Sequence, residues 1–170
     1  HDVGLRQRLE LFPIDGSASR LLLEGASVDI FEYQPPDGER IAFRGQIDGR
    51  WGLYTMLPDG SDIRLLAAAK VTGLPDQDLN FVSWSPDGST IVYGLLNGRG
   101  AIRILRRGAD GSFGPPVERA DFGVAPKFSP DGRWIVFGSK PVGGWVFVVP
   151  TDSGPPRALV DTVEGRAARA

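Results

Sequence analysis

An all-β fold built from repeated four-stranded units is predicted by three observations. Two turn motifs alternate along the chain, an aromatic residue precedes each copy of the first, and short alternating apolar stretches fill the spaces between them. Together they read as a β-propeller of about three complete four-stranded blades plus an N-terminal half-blade. It is either a partial propeller or one completed by oligomerisation.

The first motif is Pro36-Asp37-Gly38, Pro86-Asp87-Gly88 and Pro130-Asp131-Gly132, with copies 50 and 44 residues apart. The second is Asp15-Gly16-Ser17, Asp59-Gly60-Ser61 and Asp110-Gly111-Ser112, followed by a degenerate Asp152-Ser153-Gly154; these lie 44, 51 and 42 residues apart. The residue types have a cause. An Asp side chain bonds to turn backbone, Pro fixes φ, and Gly takes positive φ at little steric cost.

The flanks repeat as well. Tyr33, Trp84 and Phe128 stand before the first motif, and Ile41-Ala42-Phe43, Ile91-Val92-Tyr93 and Ile135-Val136-Phe137 follow it. Strand-like runs precede the second motif at Leu9 to Phe12, Leu53 to Met56, Ile102 to Leu105 and Val146 to Val149. Each repeat is therefore strand, turn, strand, variable loop, strand, turn, strand. The chain is expected to form one domain, 1–170, with a half-blade at 5–24, blades at 28–68, 78–119 and 124–160, and a tail at 161–170.

Composition agrees with this reading. The 23 Gly and 14 Pro are too much punctuation for a helical bundle and suit many short strands. A net charge of −2 gives no whole-chain drive toward nucleic acid or an anionic membrane. No apolar run approaches the roughly 18 residues of a membrane span, so no membrane insertion is expected. The absence of cysteine excludes disulfides and thiolate chemistry within these residues. No signal peptide is visible, and the chain opens at His1 rather than Met. A processed chain, a cut chain and a fragment all fit that start.

At Trp84-Ser85-Pro86-Asp87-Gly88 with Ile91-Val92-Tyr93, and at Leu53-Tyr54 leading into Asp59-Gly60-Ser61, the sequence resembles the TolB propeller repeat. Similar repeats occur in the propeller domains of prolyl-oligopeptidase-like peptidases. The resemblance covers residues 5 to 160. It implies a ring that is usually six-bladed, a protein-binding or scaffolding role, and a periplasmic or secreted location. Three and a half blades fall short of such a ring. A piece of a longer propeller, a homo-oligomer completing the propeller, and a small ring closed by the tail are the alternatives.

Variable loops on a rigid scaffold are where binding usually lives. These are expected at Arg44 to Trp51, Gly94 to Gly100, Gly138 to Gly144 and the link Ala67 to Asn80, on the face opposite the repeated turns. Asp48, Arg50, Trp51, Asp76, Asp78, Arg99 and Lys140 are the candidate partner-binding residues. Trp84 is expected in the core. Trp134 takes the place of the polar Arg40 and Thr90 and is expected to be exposed.

No catalytic, metal or cofactor residues are expected. His1 is the single histidine, so a Ser-His-Asp triad has no base within the repeats. The repeated Asp residues each serve a turn in a different blade, whereas calcium needs six to eight oxygens converging on one point. Nothing pairs any two of the six glutamates as glycosidase carboxylates. The basic cluster Arg103, Arg106 and Arg107 reads as a solvated strand edge. The expected function is a non-catalytic TolB-like module that binds a protein partner. The alternative is the propeller portion of a larger enzyme, an oligopeptidase-like hydrolase or a polysaccharide lyase.

Overall fold

The structure, a computed structural model, describes residues 8–24, 27–33, 38–68, 79–96, 98, 100–139, 145–161 and 166–167. These form four antiparallel sheets. A two-stranded sheet pairs β1 (Arg8–Leu11) with β2 (Arg20–Glu24). The first blade runs β3 (Ser27–Tyr33), β4 (Ile41–Ile47), β5 (Arg50–Met56) and β6 (Arg64–Ala68). The second runs β7 (Asn80–Trp84), β8 (Thr90–Leu95), β9 (Ala101–Arg106) and β10 (Val117–Ala120). The third runs β11 (Val124–Phe128), β12 (Trp134–Gly138), β13 (Val146–Pro150) and β14 (Arg157–Asp161), and the short β15 (Arg166–Ala167) adds to it as a fifth strand.

Each sheet is a meander in sequence order, so each turn joins hydrogen-bonded neighbours. The sheets then stack face to face. A strand sends successive side chains to opposite faces, so an inner blade buried on both sides reads as a continuous apolar run. The second blade shows this directly. Ile91, Tyr93 and Leu105 pack toward Ala42 and Leu53 of the first blade. Their chain neighbours Val92, Ile102 and Ile104 pack toward Ile135, Phe137 and Val149 of the third. Leu22, Ile41, Phe43, Tyr54 and Met56 join the two-stranded sheet to the first blade. Full burial of a side chain such as Phe43 or Ile104 contributes roughly 1.5–3 kcal/mol.

The repeated turns are closed by their own acids. Asp87 Oδ1 accepts from Ser85 Oγ at 2.6 Å and from Ser89 N at 3.0 Å. Asp131 Oδ1 accepts from Ser129 Oγ at 2.5 Å and Arg133 N at 3.1 Å. In the second motif Asp15, Asp59 and Asp110 accept from Ser17 N, Ser61 N and Ser112 N at 2.9, 2.9 and 3.0 Å. The Asp37 turn lies outside the described residues.

Hydrogen bonds to the charged form hold these carboxyls below the ordinary aspartate range. For Asp87 the Ser85 hydroxyl is the largest cause and the Ser89 N–H the next. Asp87→Ala is expected to lower stability by about 0.5–2 kcal/mol, the scale of a lost side-chain cap. Because the folded pKa is depressed, the contribution is present above the unfolded value of about 3.9 and fades as pH falls through the folded one. In urea unfolding, the gap between wild type and variant should therefore be widest near neutrality and narrow below about pH 4. A gap that is independent of pH would show that the carboxylate charge does not stabilise the turn.

Arginines tie one sheet to the next at the outer strands. Arg20 Nη2 donates to Pro58 O. Arg106 Nη2 donates to Thr151 O at 3.1 Å and Asp152 Oδ1 at 2.9 Å. Arg119 Nη2 donates to Pro150 O at 2.8 Å. Arg106 therefore joins two blades instead of forming part of a solvated edge. Arg103 pairs with Glu118 on its own sheet at 3.4 Å.

Two placements differ from the sequence expectation. Arg40 and Thr90, the polar relatives of Trp134, are buried at 6% and 3% exposure. Arg40 is satisfied there by Asp62 Oδ2 and Asp62 O, both at 2.8 Å, and by Thr55 Oγ1 at 3.2 Å. This repeat position faces the next sheet. Trp134 is accordingly half-buried, with the Arg157 guanidinium 4.9 Å from its ring centroid. Trp84 is buried at 2%, as its aromatic position implies.

Candidate functional site

The stretch from Arg44 to Trp51 is not a variable loop. Arg44 to Ile47 belong to β4, Arg50 and Trp51 to β5, and only Asp48 and Gly49 form the connection. Both have positive φ, 49° and 77°, which is the two-residue hairpin turn whose twist matches that of its strands. Asp is among the few side chains that tolerate this region, and Gly does so freely.

Side chains brace the hairpin from both strands. Gln46 Nε2 donates to Gly49 O at 3.0 Å. Tyr54 Oη donates to Arg50 O at 2.6 Å, and burial pushes its phenol pKa up, so the proton that makes this bond is kept. The tip thus carries two opposite charges, the exposed Asp48 and Arg50, on a stiff base. Trp51 lies half-buried beside it, with the Arg44 guanidinium 5.1 Å from its ring centroid. Arg44 itself is buried at 8% and reaches a small niche lined also by Leu53, Leu79, Phe81, Val82 and Tyr93. Desolvation raises the Tyr93 phenol pKa in the same place.

Of the candidate residues, the structure brings together Asp48, Arg50 and Trp51. Asp76, Asp78, Arg99 and Lys140 lie outside the described residues. Arg44, expected at the start of a loop, is instead a strand residue and the buried member of the group. Its alternation with Ala42 on β4 was the signal that could have found it.

A second locus escaped the sequence reading. Glu32 on β3, Ser83 on β7 and Lys127 on β11 hold the same register place in three blades. They pair with Ala42, Val92 and Val136, one residue before the aromatic position. Glu32 Oε1 accepts from Ser83 Oγ at 3.2 Å and Trp84 N at 3.4 Å, while Glu32 O accepts from Trp84 Nε1 at 3.2 Å. Glu32 Oε2 accepts from Lys127 Nζ at 2.6 Å. The innermost strands of three blades thus converge on one carboxylate. Lys127 stays 63% exposed and Glu32 29%. The signal was a polar residue preceding Tyr33, Trp84 and Phe128 in each repeat.

The innermost strands also carry strained positions at equivalent irregularities of register. Phe81, with φ 51°, interrupts the pairing of β7, and Ala125, with φ 54°, that of β11. A bulky residue in the left-handed region is uncommon and costs energy. Phe81 is 39% exposed.

The turn face carries open clefts among the described residues. One of ≈ 490 Å³ is bordered by Asp87, Ser89, Arg107 and Asp110. Others of ≈ 270 and 250 Å³ lie between the second and third and between the first and second blades. Their acids are engaged with turn backbone and hydroxyls, and Arg40 and Arg106 are engaged with neighbouring acids and carbonyls. The polar groups of these clefts are therefore largely committed to holding the stack together.

No family model matches the chain. It is 34% identical over 79 residues to dipeptidyl-peptidase 5 of Porphyromonas endodontalis, a stretch that makes up 46% of this chain and 11% of that protein. The fold is similar to TolB from Acinetobacter baumannii, with a TM-score of 0.69 at 18% identity over 91% of this chain and 38% of that one. It is equally similar to a puromycin-hydrolysing peptidase from Mycobacterium tuberculosis, with a TM-score of 0.69 at 17% identity over 92% of this chain and 28% of that one. The chain therefore has the TolB-like β-propeller fold, and it spans well under half the length of these relatives.

Proposed function

We propose that the chain is a non-catalytic protein-binding module whose contact surface is the braced Asp48–Gly49 hairpin with Arg50, Trp51 and Arg44. The observation that supports this reading is the bracing itself. Gln46 and Tyr54 fix the backbone of a tip that presents two opposite charges beside an aromatic ring. A pre-ordered tip loses little entropy on binding, and paired opposite charges next to an apolar ring suit a protein surface. No cofactor is called for. The periplasmic or secreted location implied by the TolB resemblance goes with this reading.

The test is site-specific photocrosslinking in cells of the source organism, with the crosslinker at Arg50 and, as control, at Asp110 on the turn face. A discrete protein adduct from position 50, absent from position 110 and lost on Asp48→Arg, is the expected result. Equal adducts from both faces, or none from position 50, would overturn the reading.

A second reading rests on the 34% match to a dipeptidyl-peptidase. In it the chain is the propeller portion of a larger hydrolase. The purified chain should then bind peptides of that enzyme's substrate class without cleaving them. Hydrolysis of a dipeptidyl chromogenic substrate by the chain alone would contradict both readings.

A further inference from the structure

Six Asp–Gly pairs lie among the described residues, and five of them belong to the repeated turns. In each of the five, glycine is the fourth residue of its turn and its N–H donates back across it. Gly60 donates to Leu57 O, Gly88 to Ser85 O, Gly111 to Gly108 O and Gly132 to Ser129 O, all at 2.9 Å, and Gly16 to Pro13 O at 3.4 Å. The aspartate of each pair accepts the backbone N–H two residues further on. Both the glycine nitrogen and the aspartate carboxylate are thus engaged.

Asp48–Gly49 is built differently. Ile47 pairs with Arg50, so Asp48 and Gly49 are the two central residues of the turn and glycine stands third. The ladder bonds of the hairpin belong to Ile47 and Arg50, and the glycine N–H takes no part in them. Among the described residues, no hydrogen bond reaches the Gly49 N–H or the Asp48 carboxylate. The bond that Gly49 does make is at its carbonyl, from Gln46 Nε2. Both residues are exposed, and nothing lies within 4 Å of where a Gly49 Cβ would stand. A nucleophilic nitrogen without a shielding Cβ and a free carboxyl carbon are therefore adjacent along the chain.

We propose that Asp48 is a covalent modification site, converting to isoaspartate through a cyclic imide closed on Gly49, and that the five repeat turns are protected by their own hydrogen bonds. In the first step Gly49 N bonds to Asp48 Cγ, and the carboxyl OH leaves with the amide proton as water. In the second, water adds to one of the two imide carbonyls. Opening at Cγ restores aspartate. Opening at the main-chain carbonyl sends the chain through Cβ and Cγ and leaves the former main-chain carbon as a free carboxylate. Nothing is oxidised or reduced, and the product is an isomer of the original chain. Its added backbone atom lies in a two-residue turn that sets the register of β4 and β5, so the pairing of Ile47 with Arg50 is disturbed. The site does not depend on the hairpin being a contact surface.

Keeping the whole chain folded for weeks in warm, mildly acidic buffer, and following its tryptic peptides by mass spectrometry, tests this. Trypsin isolates Asp48 in peptide 45–50 and puts Asp15, Asp59, Asp110 and Asp131 in 9–20, 51–64, 108–119 and 128–133. Isoaspartate leaves a peptide's mass unchanged, shifts its retention and gives distinct fragment ions on electron transfer. Peptide 45–50 is expected to convert about tenfold or more faster than the other four, the factor that one hydrogen bond to a charged group is worth. In urea, where the turns are lost, the five rates should draw together. Gly49→Ala, which sets a Cβ beside the attacking nitrogen, should slow conversion at Asp48 in the folded chain. No conversion of 45–50, equal rates in the folded chain, a preference that persists unchanged in urea, or a Gly49→Ala variant that converts as fast as wild type would each overturn the proposal.

Discussion

Phe137→Ala should lower the stability of the chain by about 3–5 kcal/mol, the range for a buried phenylalanine cut back to alanine. Phe137 is 1% exposed, at the centre of the cluster that joins the second and third blades. Its ring meets Phe122 edge-on at 5.5 Å between centroids and stacks on Phe147 at 5.7 Å. Phe122 also meets Phe147 edge-on at 4.9 Å, so the three rings form a closed set. Removing one ring leaves a cavity that two others line, and close-packed neighbours relax only partly into such space. A domain is stable by only about 5–15 kcal/mol, so this loss would bring the chain near its unfolding threshold. Urea unfolding followed by tryptophan fluorescence measures the effect. Phe137→Leu should cost clearly less, because it keeps most of the volume. An alanine variant within about 1 kcal/mol of wild type would mean that the site collapses freely, contrary to the packing described.

Gly100→Ala should cost about 2–4 kcal/mol, for a different reason. Gly100 has φ +85°, and a Cβ there would lie 2.2 Å from Gly123 O and 3.1 Å from Leu95 O. Both obstacles are backbone, which cannot swing aside as a flexible side chain can. Gly100 and Gly123 form a parallel bridge between the second blade and the segment entering the third, so the two chains must separate to admit a methyl group. Gly49 supplies the control. Its φ is +77°, yet nothing lies within 4 Å of its would-be Cβ, so Gly49→Ala should carry the conformational cost alone, about 1 kcal/mol. Thermal unfolding of the two variants side by side separates close approach from backbone strain. Equal shifts would show that the Gly100–Gly123 contact contributes nothing beyond the strain.

The repeat was legible in the sequence because turn chemistry is local. Asp87 bonds to Ser85 and Ser89, residues within two positions of it, so the motif itself carries the structure. The burial of Trp84 was legible for the same reason, since its place is fixed relative to the turn. Distances between blades were not legible. Arg40 and Thr90 look like surface residues until the neighbouring sheet is placed, and then Arg40 is found buried against Asp62 and Thr55. Arg44 to Trp51 reads as variable because sequence alone does not set the strand lengths on either side, although Asp48-Gly49 is itself a hairpin signal. Glu32, Ser83 and Lys127 are 51 and 44 residues apart along the chain, and only the convergence of three strands makes them one cluster.

The Glu32–Lys127 contact also bears on how the chain comes apart. A stack in which every sheet touches only its neighbours behaves like a one-dimensional array, free to fray from either end one unit at a time. Glu32 and Lys127 link the first blade to the third across the second, so neither of these blades can leave alone without breaking that bond. The two-stranded sheet takes no part in it and is held to the first blade by the Leu22 cluster and by Arg20 donating to Pro58 O. With the Lys127 side chain 63% exposed, the pair adds at most about 1 kcal/mol to this coupling of the three blades.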